Sequence, residues 1–203
     1  MKNLSNMFNL PIKAKQLCLP VFISLLAILL WLLEPASHEI FPYDRTAIIN
    51  GQWWRVISGH FLHTNIMHLV LNITGLILLW ALHGHYYNYQ TFGIIILLCL
   101  GTSLGIFIFA NELLWYVGLS GILHGLFIFG AYWDISKNMK TGWLLFIIVW
   151  LKVLHEQIVG PSDDIQKLIE ANVAIDAHLF GTISGTIIVL ALYLRKSKTY
   201  RIK

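Results

Sequence analysis

A serine and a histidine stand in apolar parts of the sequence, where the pair could serve as a nucleophile and its base. Ser120 lies between Gly118 and Gly121, where a polar loop gives way to an apolar run. A helix that starts there would offer unpaired N–H groups to a developing oxyanion. His178 lies in a later apolar run and could accept the serine proton. A Gly-x-Ser-Gly string in a membrane helix is more often a packing motif of small residues, so the chemistry requires that Ser120 and His178 meet.

Two further polar residues could complete such a site. His68 and Asn72 are four residues apart and therefore lie on one face of a helix. Their side-chain N–H groups could donate to a tetrahedral oxyanion, although the pair could equally be a locally satisfied polar contact within a helix bundle. Asp176 comes two residues before His178 and faces elsewhere on a helix. We therefore predict a Ser/His dyad in which packing, and not a carboxylate, holds His178.

The composition places the site in a membrane protein. Of the 203 residues, 57% are hydrophobic and only 12% are charged, and the mean hydropathy is +0.69. The apolar residues form runs of about 18–20, the length that crosses a bilayer as a helix. The net charge of +4 comes from basic residues gathered at particular helix ends, so we attribute it to topology and not to nucleic-acid binding. Cys18 and Cys99 lie inside apolar runs and are expected to be packing residues, because their spacing suits neither a disulfide framework nor a zinc site.

Six apolar runs predict six transmembrane helices, at residues 16–33, 65–82, 91–110, 118–133, 142–159 and 173–194. An even number places both termini on one side of the membrane. Most basic residues share that side, namely Lys2, Lys13, Lys15, Lys137, Lys140, Arg195, Lys196, Lys198, Arg201 and Lys203. The positive-inside rule then places both termini in the cytoplasm. We expect an all-α polytopic membrane protein with one domain, residues 1–203, and short cytoplasmic ends at 1–15 and 195–203.

This topology brings the polar residues to one depth. The second, fourth and sixth spans enter from the outer face, and each carries its polar residues within about its first two turns. Buried histidine and asparagine are costly in hydrocarbon unless they face a partner or a wet cavity, so we expect one site near the outer face. Each catalytic candidate is followed by a Gly-x-x-x-Gly ridge, which lets helix backbones approach closely. The ridges are Gly121 with Gly125 and Gly181 with Gly185.

Several short motifs follow one another along the chain: Trp53-Trp54-Arg55, His63, His68-x-x-x-Asn72, Gly118-Leu119-Ser120-Gly121, and Ala177-His178-Leu179-Phe180-Gly181 with Gly185. From about Trp53 onward, this set resembles the rhomboid family of intramembrane serine proteases. The resemblance implies that Ser120 is the nucleophile, that His178 is the general base and acid, and that His68 and Asn72 are oxyanion donors. It also implies a six-helix bundle with a water-filled cavity open to the outer face, and no cofactor.

One position departs from the family's best-known bacterial members. Those proteins carry a tyrosine four residues after the serine, which stacks on the catalytic histidine, whereas this chain has His124. An imidazole can also stack on a ring, so we expect activity with an altered environment for His178.

A narrower resemblance rests on His124, on the small size of the chain and on the stretch Lys152-Val153-Leu154-His155-Glu156-Gln157. These features resemble the rhombosortase branch. They imply membrane-anchored protein substrates whose C-terminal tag has a Gly-Gly motif, an apolar helix and a basic tail. They also imply cleavage near that tag, at the periplasmic face of the inner (cytoplasmic) membrane of a Gram-negative bacterium. Either water or an amine could accept the acyl group.

Two charges lie within the fifth span, which makes them functional candidates. Lys152 and Glu156 have i,i+4 spacing and can pair on one helix face. Together with Gln157 and His124, they could gate substrate entry or hold a polar part of the tag. A self-neutralising structural pair is the alternative.

Other functions fit the sequence less well. A rhomboid-like pseudoprotease or membrane chaperone would bind transmembrane segments without cleaving them, but both catalytic positions are filled here. A transporter would need broken helices and midplane charges, and Lys152 alone fits that description. We expect no metal, because His60, His63 and His68 have poor acid and amide partners nearby for zinc.

Overall fold

The computed structural model describes residues 10–201, with side chains up to residue 196. Lys2 and Lys203 of the predicted cytoplasmic ends, and the side chains of Lys198 and Arg201, lie outside this described part. Ten α-helices and two short strands form the described chain, in the order α1 (Ala14–Leu32), α2 (Ala36–Ile40), β1 (Tyr43–Asp44), α3 (Arg45–Ile49), α4 (Arg55–Ser58), α5 (Ile66–His83), α6 (Thr91–Phe109), β2 (Trp115–Tyr116), α7 (Ser120–Ser136), α8 (Lys140–Val159), α9 (Asp163–Ile169) and α10 (Ile175–Arg201).

Five helices, α1, α5, α6, α8 and α10, are long and apolar enough to cross a membrane. In each of these helices, at most 39% of the most apolar 18-residue stretch is buried inside the protein. Most of this apolar surface therefore faces outward, where lipid can cover it. The chain is therefore a polytopic membrane protein. The remaining long helix, α7, has 17 residues and lies inside the bundle, in contact with α5, α6, α8 and α10.

Glycines set the distance between α7 and α10, the two helices in most extensive contact. A Cβ atom at Gly125 would lie 2.7 Å from the carbonyl oxygen of Gly181, and one at Gly181 would overlap the carbonyl of Gly121. Backbone therefore touches backbone along this seam. The prediction that the two Gly-x-x-x-Gly ridges bring these helices together is confirmed.

The segment between α1 and α5 folds into short elements that support the start of α7. Arg55 is buried and its guanidinium donates to the carbonyls of Pro42 (2.9 Å) and Glu39 (2.8 Å). β1 pairs antiparallel with β2, with Tyr43 opposite Tyr116. Because β2 lies just before α7, this pairing ties the segment to the loop that leads into Ser120.

A buried polar cluster joins the C-terminal end of α5 to the C-terminal end of α7. His83 Nε2 lies 3.3 Å from a carboxylate oxygen of Asp134, and the Tyr86 hydroxyl donates to the other oxygen at 2.6 Å. Both His83 and Asp134 are buried. This cluster fixes the rotation of α5 against α7, and thereby the face on which α5 presents His68.

Candidate active site

The loop before α7 places Ser120. The Tyr116 hydroxyl donates to the carbonyl of Gly118, and the Gly118 N–H donates to the carbonyl of Gly59 at 3.2 Å. Gly118 has a φ of +127°, and a Cβ there would lie 2.8 Å from His68 Nε2, so both conformation and space favour glycine. Ser120 is the first residue of α7, and its N–H is therefore among the groups that have no acceptor within the helix.

Ser120 and His178 meet across the seam between α7 and α10. The distance from Ser120 Oγ to His178 Nε2 is 2.9 Å, an ordinary hydrogen bond. His178 is 5% exposed, so solvent competes little for this ring nitrogen. The expectation that the two residues come within bonding distance is confirmed.

A carboxylate contacts the other ring nitrogen of His178. Glu156 Oε2, from α8, lies 2.9 Å from His178 Nδ1 and 2.8 Å from Lys152 Nζ. The prediction that packing alone holds His178 is therefore wrong. Asp176, the acid nearest in sequence, is not involved. The i,i+4 pair of Lys152 and Glu156 forms as predicted, and His178 is its third member.

His124 lies on the other side of the catalytic histidine. The two imidazole rings stack, with centroids 4.3 Å apart and planes inclined by 23°, so this histidine occupies the stacking position expected from the sequence. His124 Nδ1 lies 2.7 Å from the carbonyl oxygen of Ser120, and its Nε2 lies 2.9 Å from Lys152 Nζ. Gln157 is exposed on α8 and takes no part in this network.

An ammonium group occupies the centre of this cluster. Among the residues that the structure describes, His124, Glu156 and His178 have metal-ligating atoms within 4.8 Å of one another, and they are the one such group. Lys152 Nζ lies 2.9 Å from His124 Nε2 and 3.2 Å from His178 Nδ1. The lysine charge thus stands where a metal cation would bind.

His68 directs its Nε2 towards the loop that leads into Ser120. The Thr64 backbone N–H donates to His68 Nδ1 at 3.4 Å, and Thr64 Oγ1 lies 3.1 Å from the same nitrogen. The Thr64 hydroxyl gives its proton to the carbonyl of Ile169 at 2.7 Å, so the tautomer protonated at Nε2 relies on the longer contact from the Thr64 N–H to Nδ1. Nε2 is the atom next to Gly118, so in that tautomer the ring directs an N–H into the space in front of the serine.

Asn72 lies beside His68 on the same face of α5. Its Nδ2 is buried and has no hydrogen-bond partner within the described chain. It lies 3.8 Å from the place that a Cβ of Gly118 would take. A buried amide N–H without an acceptor is costly, and an oxyanion held over the loop before α7 would satisfy it.

His63 and His60 support this side of the site. The His63 ring packs edge-on against His68, with centroids 5.0 Å apart. Burial lowers the pKa of His63 to about 3, with a smaller effect from the neighbouring His68 and His38. Burial likewise lowers the pKa of His60 to about 4. Both rings are neutral at physiological pH. His60 hydrogen-bonds to Tyr116 and Ser103, whereas the ring nitrogens of His63 have no hydrogen-bond partner within the described chain.

Two cavities reach Ser120 from different directions. A cavity of about 370 Å³ with a mixed polar and apolar lining is bounded by His68, Ser120, the segment around β2 and the residues between α9 and α10. Thr64 Oγ1 donates to the carbonyl of Ile169 at 2.7 Å, which holds α9 over this cavity. An apolar groove of about 410 Å³ runs between α5, α7 and α8, and Ser120, His124 and Lys152 lie along it. The serine is therefore reached through a cavity of mixed polarity on one side and through an apolar groove on the other.

Comparison with known proteins agrees with this geometry. The Rhomboid domain family model matches residues 50–195. Over 194 residues, the chain is 25% identical to a protein of Bacillus subtilis (strain 168) named "Putative rhomboid protease YdcA", a match that covers 88% of this chain and 90% of that protein. The range matched by the family model includes both Ser120 and His178. The chain belongs to the rhomboid family.

Proposed function

We propose that the protein is an intramembrane serine endopeptidase in which Ser120 is the nucleophile and His178 the general base and acid. The observation that carries this proposal is the 2.9 Å contact between Ser120 Oγ and His178 Nε2. A serine is a weak nucleophile unless a base within hydrogen-bonding reach accepts its proton. The family membership of the chain supports the same reaction class.

The reaction runs in two halves. Ser120 Oγ bonds to the scissile carbonyl carbon while its proton passes to His178 Nε2. The carbonyl oxygen becomes an oxyanion, which receives hydrogen bonds from His68 Nε2–H, Asn72 Nδ2–H and the Ser120 N–H. The C–N bond then breaks, and the leaving amine takes the proton from His178. An incoming water or amine then attacks the acyl-enzyme carbonyl carbon and gives its proton to His178 Nε2. The ester C–O bond to Ser120 breaks, and His178 returns the proton to Ser120 Oγ.

We further propose that the substrates are membrane-anchored proteins with a C-terminal Gly-Gly tag, as the rhombosortase resemblance implies. The apolar groove along α5, α7 and α8 suits an apolar helix that approaches from the lipid. Glycines in that helix would favour the local unwinding that exposes a carbonyl to Ser120. His124 and Lys152, which carry the resemblance, line this groove together with Ser120, and Glu156 contacts Lys152.

The same proposal includes the topology. Counting α7 with the five long apolar helices gives six spans, with both termini in the cytoplasm and the site open towards the periplasm of a bacterial inner membrane. The basic residues near the two termini and between α7 and α8 support this orientation. A test is the accessibility of single cysteines introduced between α7 and α8, which should react with a membrane-impermeant thiol reagent only after the cells are opened.

A serine-reactive fluorophosphonate probe tests the enzymatic proposal. Wild-type protein in detergent should be labelled, Ser120→Ala should not, and Ser136→Ala, a control at the other end of the same helix, should be labelled as wild type is. A folded wild-type protein without labelling would overturn the proposal and favour a binding module. Mass spectrometry of a Gly-Gly-tagged membrane protein, incubated with wild type or with Ser120→Ala, then tests the substrate class through its new C-terminus.

A further inference from the structure

We propose that Glu156 is a third member of the site, which positions His178, and that Lys152 and His124 close a ring of hydrogen bonds back to Ser120. This inference rests on the proposed function, because the positioning concerns the base of that reaction. Glu156 lies on α8, 36 residues after Ser120 and 22 residues before His178. A helix that contributes neither the nucleophile nor the base therefore sets the state of the base.

Glu156 selects the tautomer of His178 that the reaction needs. To accept the Ser120 proton, Nε2 must be unprotonated, so the neutral ring must carry its proton on Nδ1. An ionised carboxylate can only accept hydrogen bonds, and Glu156 Oε2 lies 2.9 Å from Nδ1. The contact is therefore Nδ1–H donating to Glu156. It also offers a negative charge to the imidazolium that forms when the serine proton arrives.

The remaining contacts continue in one consistent direction. Lys152 Nζ donates to Glu156 Oε2 at 2.8 Å and to His124 Nε2 at 2.9 Å. Since His124 Nε2 accepts, its Nδ1 carries the proton and donates to the Ser120 carbonyl at 2.7 Å. Every donor in the ring meets an acceptor with both histidines neutral. The Ser120 side chain and its own backbone carbonyl are thus joined through four other residues.

Lys152 makes the carboxylate necessary. Its Nζ also lies 3.2 Å from His178 Nδ1, and an ammonium can only donate. Without Glu156, Lys152 would donate to Nδ1 and leave the proton of a neutral His178 on Nε2, where it blocks the serine. Glu156 accepts from both groups through the same oxygen and prevents this.

The burial of the pair argues against a purely structural role. A charge within a span is costly in hydrocarbon, and charges that face the interior of a bundle typically mark functional sites. The Lys152 side chain is 44% exposed, but the Glu156 side chain is 14% exposed and points inward to His178, whose side chain is 6% exposed. The carboxylate oxygen that pairs with the exposed Lys152 thus also contacts the buried ring of His178.

Rates of fluorophosphonate labelling test the inference. In this reaction the Ser120 oxygen bonds to phosphorus, the P–F bond breaks, fluoride leaves, and the serine proton passes to His178. Glu156→Gln keeps the acceptor oxygen but removes the charge, and we expect labelling about 10-fold slower; Glu156→Leu removes both, and we expect a loss of about 10² to 10⁴-fold. The maximal rate constant should fall while the half-saturating probe concentration stays unchanged. His155→Gln, an exposed neighbour on α8, is the matched control and should label as wild type does.

A double-mutant cycle tests whether Glu156 controls the effect of Lys152 on His178. If Glu156 keeps Lys152 from donating to His178, then Lys152→Met should raise the labelling rate in Glu156→Leu, where the ammonium otherwise donates to Nδ1, and should not raise it in the wild-type background. A purely structural pair would instead lower the unfolding temperature of both single variants in parallel with their activity. Labelling of folded Glu156→Leu within threefold of wild type would overturn the inference and leave the proposed function intact. If Glu156→Leu does not fold, a labelling rate of Glu156→Gln within threefold of wild type would overturn the inference instead.

Spectroscopy keeps the two proposals distinguishable if wild type is not labelled. In protein with ¹⁵N-labelled histidine, the Nδ1–H of His178 should give a slowly exchanging imidazole N–H resonance. This resonance should be absent from His178→Gln and lost or shifted in Glu156→Leu. A spectrum of wild type with the proton on Nε2 would refute the role of Glu156 whatever the activity.

Discussion

Gly185→Ala should inactivate the protein although the residue touches no reacting group. An added Cβ would lie 2.7 Å from the Gly125 carbonyl oxygen and 2.8 Å from Gly125 Cα. Both atoms are backbone, so no side-chain rotation relieves the contact. Ordinary contacts begin at 3.4 Å, so α7 and α10 must separate by about 0.7 Å, the difference between 2.7 and 3.4 Å.

This displacement is large on the scale of the catalytic contact. Ser120 and His178 lie on the same two helices, 2.9 Å apart. A 0.7 Å separation carried along the seam would stretch the contact to about 3.6 Å, which is no longer a hydrogen bond. Misplacement of this size lowers rates by about 10²-fold, and overpacking of a close helix contact costs about 1–3 kcal/mol of stability.

The assay compares labelling rate and unfolding temperature in detergent for Gly185→Ala and Gly93→Ala. A Cβ at Gly93, in α6, meets nothing within 4 Å, so this control reports only the gain in helix propensity, about 1 kcal/mol. We expect Gly93→Ala to keep its activity and to unfold at the same or a higher temperature. Wild-type labelling and unfolding in Gly185→Ala would refute the claim that backbone contact between α7 and α10 sets the site.

Three other changes probe separate parts of the site. His68→Ala and Asn72→Ala should each slow labelling by about 10² to 10³-fold while Ser120 and His178 stay in place; an unchanged rate in both would remove the oxyanion assignment. Lys152→Ala should make labelling more sensitive to inhibition by Zn²⁺, because His124, Glu156 and His178 lose the ammonium that lies among them. A chelator should reverse this inhibition, and equal zinc sensitivity in wild type would contradict the prediction. Burial lowers the pKa of His60 from 6.5 to about 4 and that of His63 from 6.5 to about 3, so the unfolded chain binds more protons in acid, and the stability present above pH 6.5 is lost as the pH falls towards 4. The unfolding temperature of wild type should therefore fall over this pH range, and that of His63→Phe should fall less. Parallel profiles of unfolding temperature against pH in the two proteins would count against the assignment of His63 as a buried neutral ring.

Hydropathy and glycine spacing predicted the positions of the long helices and of their closest contact. The predicted start of each span lies within two residues of the observed helix start, because the change from polar to apolar residues coincides with helix boundaries. The predicted end of the last span at 194 falls short of Arg201, the observed end of α10. Hydropathy follows the part of a helix that lies in lipid, whereas the backbone hydrogen bonds of α10 continue through basic residues.

The sequence did not predict the contact between Glu156 and His178, because nothing in it fixes the rotation of α8 about its axis. α8 is apolar around most of its circumference, and its buried residues are Gly142, Val149 and Val153. Glu156 follows Val149 by seven residues and Val153 by three, so it lies on the same face. That stripe can be recognised only once the buried residues are known. The spacing of Lys152 and Glu156 already offered each charge a partner, and therefore gave no sign of a third.

The shortness of α7 is consistent with its role. On the proposed topology, 17 residues rise about 26 Å, less than the roughly 30 Å of the hydrocarbon core, so Ser120 begins below the outer surface. The irregular backbone from Val117 to Leu119 must then lie at membrane depth, which is tolerated only where backbone is buried in protein or lines a wet cavity. The cavity over Ser120, whose lining includes Thr64, His68 and Asn172, meets that condition. One shortened helix thus sets the nucleophile below the surface and at the same time requires the cavity through which water can reach it.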